Sequence, residues 1–108
     1  MSEAMQDMID AAPMEATLTF GARETERRVT GLLSALEPEG CVIRGAEVIT
    51  DVKYAWLEVQ LPTGETIRPL AELGRTGDEG MALSFRYVFP KDRARIHAFG
   101  AHYRIEPA

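Results

Sequence analysis

From residue 15 the chain alternates apolar and polar positions with a period of two. Ala16, Leu18 and Phe20 point one way and Glu15, Thr17 and Thr19 the other, which predicts a half-buried strand. A charged stretch, Arg23-Glu24-Thr25-Glu26-Arg27-Arg28, separates it from a second strand over Val29–Leu36, whose alternation is blurred. Glu37-Pro38-Glu39-Gly40 is turn chemistry, because proline presets φ and glycine tolerates positive φ. Cys41–Ile43 reads as a short third strand. Tyr54–Leu61 reads as a fourth, with Ala55, Leu57, Val59 and Leu61 facing the core and Trp56, Glu58 and Gln60 on the opposite side. Pro62-Thr63-Gly64 reverses the chain into a strand over Thr66–Leu73, where Pro69 marks an edge or a bulge. Gly74–Gly80 reads as a polar loop. In the last strand Met81, Leu83, Phe85, Tyr87 and Phe89 alternate with Ala82, Ser84, Arg86 and Val88. Pro90 then stops the strand and opens a helix that carries Ile96, Phe99 and Tyr103 on one stripe.

Six short strands at close spacing followed by one helix predict an all-β fold, a six-stranded antiparallel barrel with a C-terminal α-helix packed across an opening. The barrel and helix are assigned to residues 13–108, as one domain. Residues 1–12 stand apart. Met1, Met5, Met8, Ile9 and Ala12 recur near helical spacing, so this segment is either a tail ending at Pro13 or a short helix whose methionines meet a partner. No βαβ alternation, internal repeat or low-complexity tract is present.

The chain has 108 residues and a net charge of -5. That size allows one modest core and leaves little volume for a deep cleft. The acidic balance argues against nucleic acid as a partner, which needs a basic face to displace counterions. Cys41 is the single cysteine, so neither an intramolecular disulfide nor a cysteine zinc cluster can form. The first residues show no positive region followed by an apolar run, and no apolar run reaches membrane-spanning length. The expectation is a cytoplasmic chain without membrane insertion.

Catalytic constellations are missing, and the chain is expected not to be an enzyme and to carry no cofactor or metal. His97 and His102, five apart on the terminal helix, fall on different faces with no ligand-spaced partner. Ser34 and Ser84 lie inside strand patterns with no adjacent base, and Gly74, Gly77 and Gly80 match no phosphate-binding loop. Glu37 and Glu39 flank a surface turn, too open to water to serve as a general acid–base pair.

The run Trp56-Leu57-Glu58-Val59-Gln60-Leu61-Pro62, then Gly80-Met81-Ala82-Leu83-Ser84-Phe85, then Asp92-Arg93-Ala94-Arg95-Ile96 with Phe99, resembles the PilZ domain over about residues 14–103. The resemblance implies a six-stranded barrel with a terminal helix, and a role in bacterial signalling, for instance motility or surface behaviour. Most members are receptors for cyclic di-GMP. They use an Arg-x-x-x-Arg pair before the first strand and Asp/Asn-x-Ser-x-x-Gly at the end of the second. Arginines suit phosphates and stack on guanine, while the Asp/Ser pair positions base edges.

Counting back from Phe85 puts the second motif on Ala35-Leu36-Glu37-Pro38-Glu39-Gly40, where only Gly40 is kept. Ala35 replaces the carboxylate. Glu37 replaces the serine with a negative charge, which at about 4–5 Å from a phosphate costs on the order of a few kcal/mol under partial screening. Arg23 and Arg27 have the first motif's spacing, but they follow the first strand instead of preceding it. An alternative register on Asp51–Trp56 leaves too few residues to close the barrel. Arg23, Arg27 and Arg28 are therefore either a charged loop paired with Glu24 and Glu26 or a displaced phosphate clamp. The resemblance then implies an adaptor that works through protein–protein contacts, with cyclic di-GMP disfavoured as a ligand. The expected contacts are Met5, Met8 and Trp56, unless Trp56 packs under the terminal helix. A homo-oligomer built on residues 1–12 or on the Pro69 strand is a further expectation.

Overall fold

A computed structural model describes residues 8–21, 24–46, 49, 51–78 and 80–105. Its main elements are β2 (Met14–Phe20), β3 (Arg27–Glu37), β4 (Gly40–Arg44), β5 (Tyr54–Gln60), β6 (Thr66–Ile67), β7 (Leu70–Gly77), β8 (Gly80–Tyr87) and α1 (Pro90–His102). Two three-residue strands flank them, β1 (Ile9–Ala11) at the front and β9 (Tyr103–Ile105) directly after the helix.

The antiparallel strand order β2-β3-β4-β8-β7-β5 returns to β2 through the β2–β5 pairing, so six strands form a closed barrel. β6 extends the far end of β5. The predicted inward set of β2 and β5 is the observed one. Ala16, Leu18, Leu57 and Val59 are fully buried, and Leu18 lies directly across from Leu57. Leu33, Ile43, Met81 and Leu83 fill the interior from the other strands, and Ile96 and Phe99 of α1 close it. The crossing from β4 to β5 packs Ala46, Ile49 and Val52 against the same core.

The helix is fixed by one buried carboxylate. Pro90 stands at its first turn and no side chain caps its N-terminus. Asp92 in that turn is buried, and its Oδ2 accepts the Arg68 backbone N–H at 2.8 Å. A negative charge there also complements the helix dipole. Arg95, one turn on, donates to the Thr66 carbonyl at 3.0 Å and pairs with Glu65 at 3.2 Å. Together these contacts clamp α1 to β6.

Five local expectations are corrected. Thr66–Leu73 is not one strand. It breaks at Arg68-Pro69, because proline has no N–H for the ladder; the Pro69 side chain is buried and its carbonyl accepts the Leu57 N–H at 2.9 Å. Gly74–Gly80 is not a loop, since β7 continues to Gly77 and pairs with Gly80 across a tight hairpin. Gly80 has φ +119, and a Cβ there would collide with the Ile43 carbonyl, so glycine is required for this hairpin to lie against β4. The last strand loses phase: a bulge between Leu70 and Ala71 shifts the β7–β8 register, Val88 turns inward, and Tyr87 and Phe89 face solvent.

The fourth correction concerns the N-terminal segment. Ile9–Ala11 is a strand, not part of a helix, and it pairs in parallel with Tyr103–Ile105. The Arg104 guanidinium holds Asp10 at 3.0 Å alongside this pairing. Tyr103, expected on the helical stripe, lies just past the helix in β9, with its ring stacked on Phe99 at 5.1 Å between centroids.

Replacing Asp92 by alanine leaves the Arg68 N–H without its acceptor and should lower unfolding free energy by about 1–3 kcal/mol, measured by urea denaturation. Asp92→Asn keeps an acceptor oxygen and should lose less. Equal stability of Asp92→Ala and the parent chain would show that the helix does not depend on this contact.

Candidate functional site

The singled-out residues fall in three places. Arg27 and Arg28 begin β3, whereas Ala35 and Glu37 end it and Gly40 opens β4. At about 3.3 Å per residue, the ten steps from Arg27 to Glu37 span roughly 30 Å. The arginines and the hairpin positions are thus at opposite ends of one long strand and do not converge on one ligand.

Arg27 is already engaged. Its Nη2 reaches both carboxylate oxygens of Asp51, at 2.9 and 2.8 Å, and its guanidinium lies 4.7 Å from the centre of the Phe20 ring. That hydrogen bond holds the Asp51 carboxyl below its ordinary pKa. Arg28 contacts Glu26 at 3.4 Å. The loop is therefore paired internally as expected for Arg28, while Arg27 reaches across to Asp51 instead of to Glu24 or Glu26. Arg28 also lines a groove of about 400 Å³ on the outer face of β2, but Glu15 and Glu58 line the same groove and oppose a phosphate. Arg23 and Met5 lie outside the described residues.

At the hairpin, Ala35 and Glu37 are exposed and the strand edge continues into a groove of about 500 Å³. Met8, Phe99, Tyr103 and Arg104 form its other side, so the structure does bring Met8 to the two altered motif positions. Glu37 is open to water, which reduces its repulsion of a phosphate to about 1 kcal/mol at 4 Å. Ala35 offers no side-chain acceptor to a ligand. Gly40 has a purely structural reason to be glycine. It pairs with Ser84, and a Cβ would run into the Leu83 carbonyl. Its presence therefore says nothing about a ligand.

The third place was only partly legible. Trp56 is 46 % exposed on the outer face of β5 and is not covered by the helix. Its ring faces Phe89, nearly parallel at 6.5 Å between centroids, and Phe89 meets Tyr87 edge-on at 5.0 Å. Tyr87 and Phe89 are 49 % and 42 % exposed, so three aromatic rings form one outward cluster, with Tyr54 two residues from Trp56 on the same strand face. Alternation puts Tyr87 and Phe89 on one strand face with Met81, Leu83 and Phe85, whereas the structure turns them outward. The run Phe85-Arg86-Tyr87-Val88-Phe89-Pro90 is apolar in both phases near its end, and Pro90 was the available sign that the strand stops before Phe89.

Cys41 is buried, and desolvation pushes its thiol up to about 12. No group of three or more His, Cys, Asp or Glu side chains placed to hold a metal occurs among the described residues, and His97 and His102 are exposed. No helix among them is long and apolar enough to cross a membrane.

No protein-family model matches the chain, and no curated protein or solved structure matches it either.

Two measurements check this account. Because its folded pKa is depressed, Asp51 should favour the folded state above the unfolded carboxyl's pKa and lose that contribution as pH falls through the folded value. By NMR its titration midpoint should lie below that of an ordinary aspartate and rise in Arg27→Ala; an unmoved midpoint removes the Arg27–Asp51 pair as the cause. A thiol reagent such as dithionitrobenzoate should leave Cys41 unmodified at neutral pH until the chain is unfolded in urea. Rapid labelling of the native chain contradicts its burial.

Proposed function

We propose that this chain is a non-enzymatic, PilZ-like bacterial signalling adaptor that acts in the cytoplasm through protein–protein contacts and does not take up cyclic di-GMP by the family's usual motifs. Motility or surface behaviour is the setting the resemblance implies. The observation that carries the reading is the hairpin from Ala35 to Gly40. Its base-recognising carboxylate is replaced by a methyl group, its serine by an acid, and its one retained position is explained by the close approach of Gly40 to Leu83. Arg27 adds support, being committed to Asp51 and Phe20 at the far end of the strand.

The competing reading is a cyclic di-GMP receptor with a displaced clamp of Arg23, Arg27 and Arg28. Its best support is that Arg28 opens onto the groove over β2. Glu15 in that groove and the contact of Arg28 with Glu26 at 3.4 Å weigh against it, since the one arginine that faces a dianion there is already partnered by an acid.

Isothermal titration decides between them. With the dinucleotide at about 100 µM, enough to fill a site of micromolar Kd, the expected result is no saturable heat. Saturable binding that disappears in Arg27→Ala or Arg28→Ala establishes the displaced clamp and removes the adaptor reading.

A further inference from the structure

We propose that the outward face built on Trp56, Tyr87 and Phe89 docks an acidic peptide segment of a partner protein, anchored by an apolar side chain. The proposal rests on the adaptor reading and names the class of partner. Three large rings, with Phe89 meeting both Trp56 and Tyr87 and each about half exposed, form a patch that the barrel does not need for its own core. Aromatic side chains of this kind provide large, stiff contact area at little entropic cost, and they dominate binding energy where they are covered.

Register shows how the patch is framed. Trp56 is paired with Leu70 and Leu70 with Tyr87, so these side chains share one outward row across β5, β7 and β8. On the other side Thr19 and then Arg28 continue the row. The carboxylates beside it are already matched: Glu58 with Arg68 at 3.6 Å and Glu72 with Arg86 at 3.4 Å. The chain's two lysines, both exposed, lie next to these aromatic residues along the chain. Lys53 lies with its Nζ 5.5 Å from the Tyr54 ring centre, and Lys91 follows Phe89 by two residues in the first turn of α1. Neither enters an ion pair among the described residues.

The charge pattern selects the occupant. On a chain of net charge -5, this face presents neutralised acids and surplus cations around an apolar centre. A second copy docking face to face would bring together two surfaces with the same surplus of lysine charge, and the carboxylates beside the rings are already paired within each copy. Nucleic acid is the less favoured polyanion. Single-strand binders use a continuous basic groove, and two separate lysines do not make one. An acidic peptide needs only a few cations at the rim and one apolar residue for the rings.

The test uses Trp56, the single tryptophan, as its own reporter. A displayed random-peptide library selected on the intact chain should enrich sequences rich in Asp and Glu around an aromatic or aliphatic residue. A synthetic peptide of that consensus should change Trp56 emission saturably and bind less well as salt is raised. Phe89→Ala should weaken binding at least tenfold. Lys53→Glu combined with Lys91→Glu should do the same while leaving the circular dichroism spectrum and the melting temperature of the chain in place. The Lys variant also protects the test against loss of packing at the aromatic cluster, because both ammonium groups lie outside the core.

Enrichment of basic or neutral peptides, no enrichment, or equal binding by these variants overturns the proposal. So does a doubled mass in light scattering that Phe89→Ala abolishes, which would make the occupant a second copy. Saturable binding of labelled oligothymidylate that Phe89→Ala abolishes would make it nucleic acid. Heat with cyclic di-GMP in the preceding titration removes the adaptor reading, whereas a failed selection with that titration silent removes only this docking face.

Discussion

The closure of the barrel at β2 is the constraint on which the remaining structure depends. β2 is hydrogen-bonded on one side to β3 over its whole length and on the other to β5 through Ala16–Thr19. With both edges used, the barrel strands need no cover to stop them pairing with other chains. Closure also fixes the interior. Ala16, Ala55 and Ala71 are small where the walls approach, while Leu18, Leu57 and Ile43 supply bulk, and each is buried almost completely. Among the described residues the interior is filled by side chains, and the grooves lie along the outer faces and rims.

What could be read from the sequence follows from that same geometry. Strands with one wet and one dry face carry a period-two signal, and β2 and β5 show it cleanly; their inward residues were identifiable one by one. β3 was blurred for a physical reason. Only Leu33 among its eleven residues is buried, and a bulge between Leu33 and Ala35 breaks its alternation. The β7–β8 hairpin was hidden because Gly74 and Gly77 resemble loop punctuation, although Gly74 is demanded by the close approach of the Ala82 carbonyl. The parallel pairing of Ile9–Ala11 with Tyr103–Ile105 joins residues at opposite ends of the chain, and no local pattern encodes a contact of that range.

The candidate site was less legible than the fold. The hairpin positions Ala35 and Glu37 were singled out by counting along the chain, but their distance from Arg27 was not, because spacing in sequence does not reveal that one strand carries both. Trp56 could be assigned to the outer face from alternation alone. Its neighbours could not, since Tyr87 and Phe89 reach the surface only through the shift of register at the bulge beside Leu70. Composition was similarly coarse. A net charge of -5 describes the whole chain, whereas the ion pairs of Glu58 and Glu72 decide the local field around the rings.

Fold and surface are chemically separable here. Asp92 and Ile96 are held by packing and by the Arg68 N–H, so their place in the helix is explained by stability alone. Trp56, Tyr87 and Phe89 have no such explanation, because each leaves about half its ring in water and none seals the core. A β-barrel is indifferent to which side chains occupy its outward positions as long as the inward ones pack. Exposed rings on such a face add an aggregation hazard without adding to the core. The residues that this barrel could exchange for polar ones at least cost to its fold are therefore the ones that most require a role outside it.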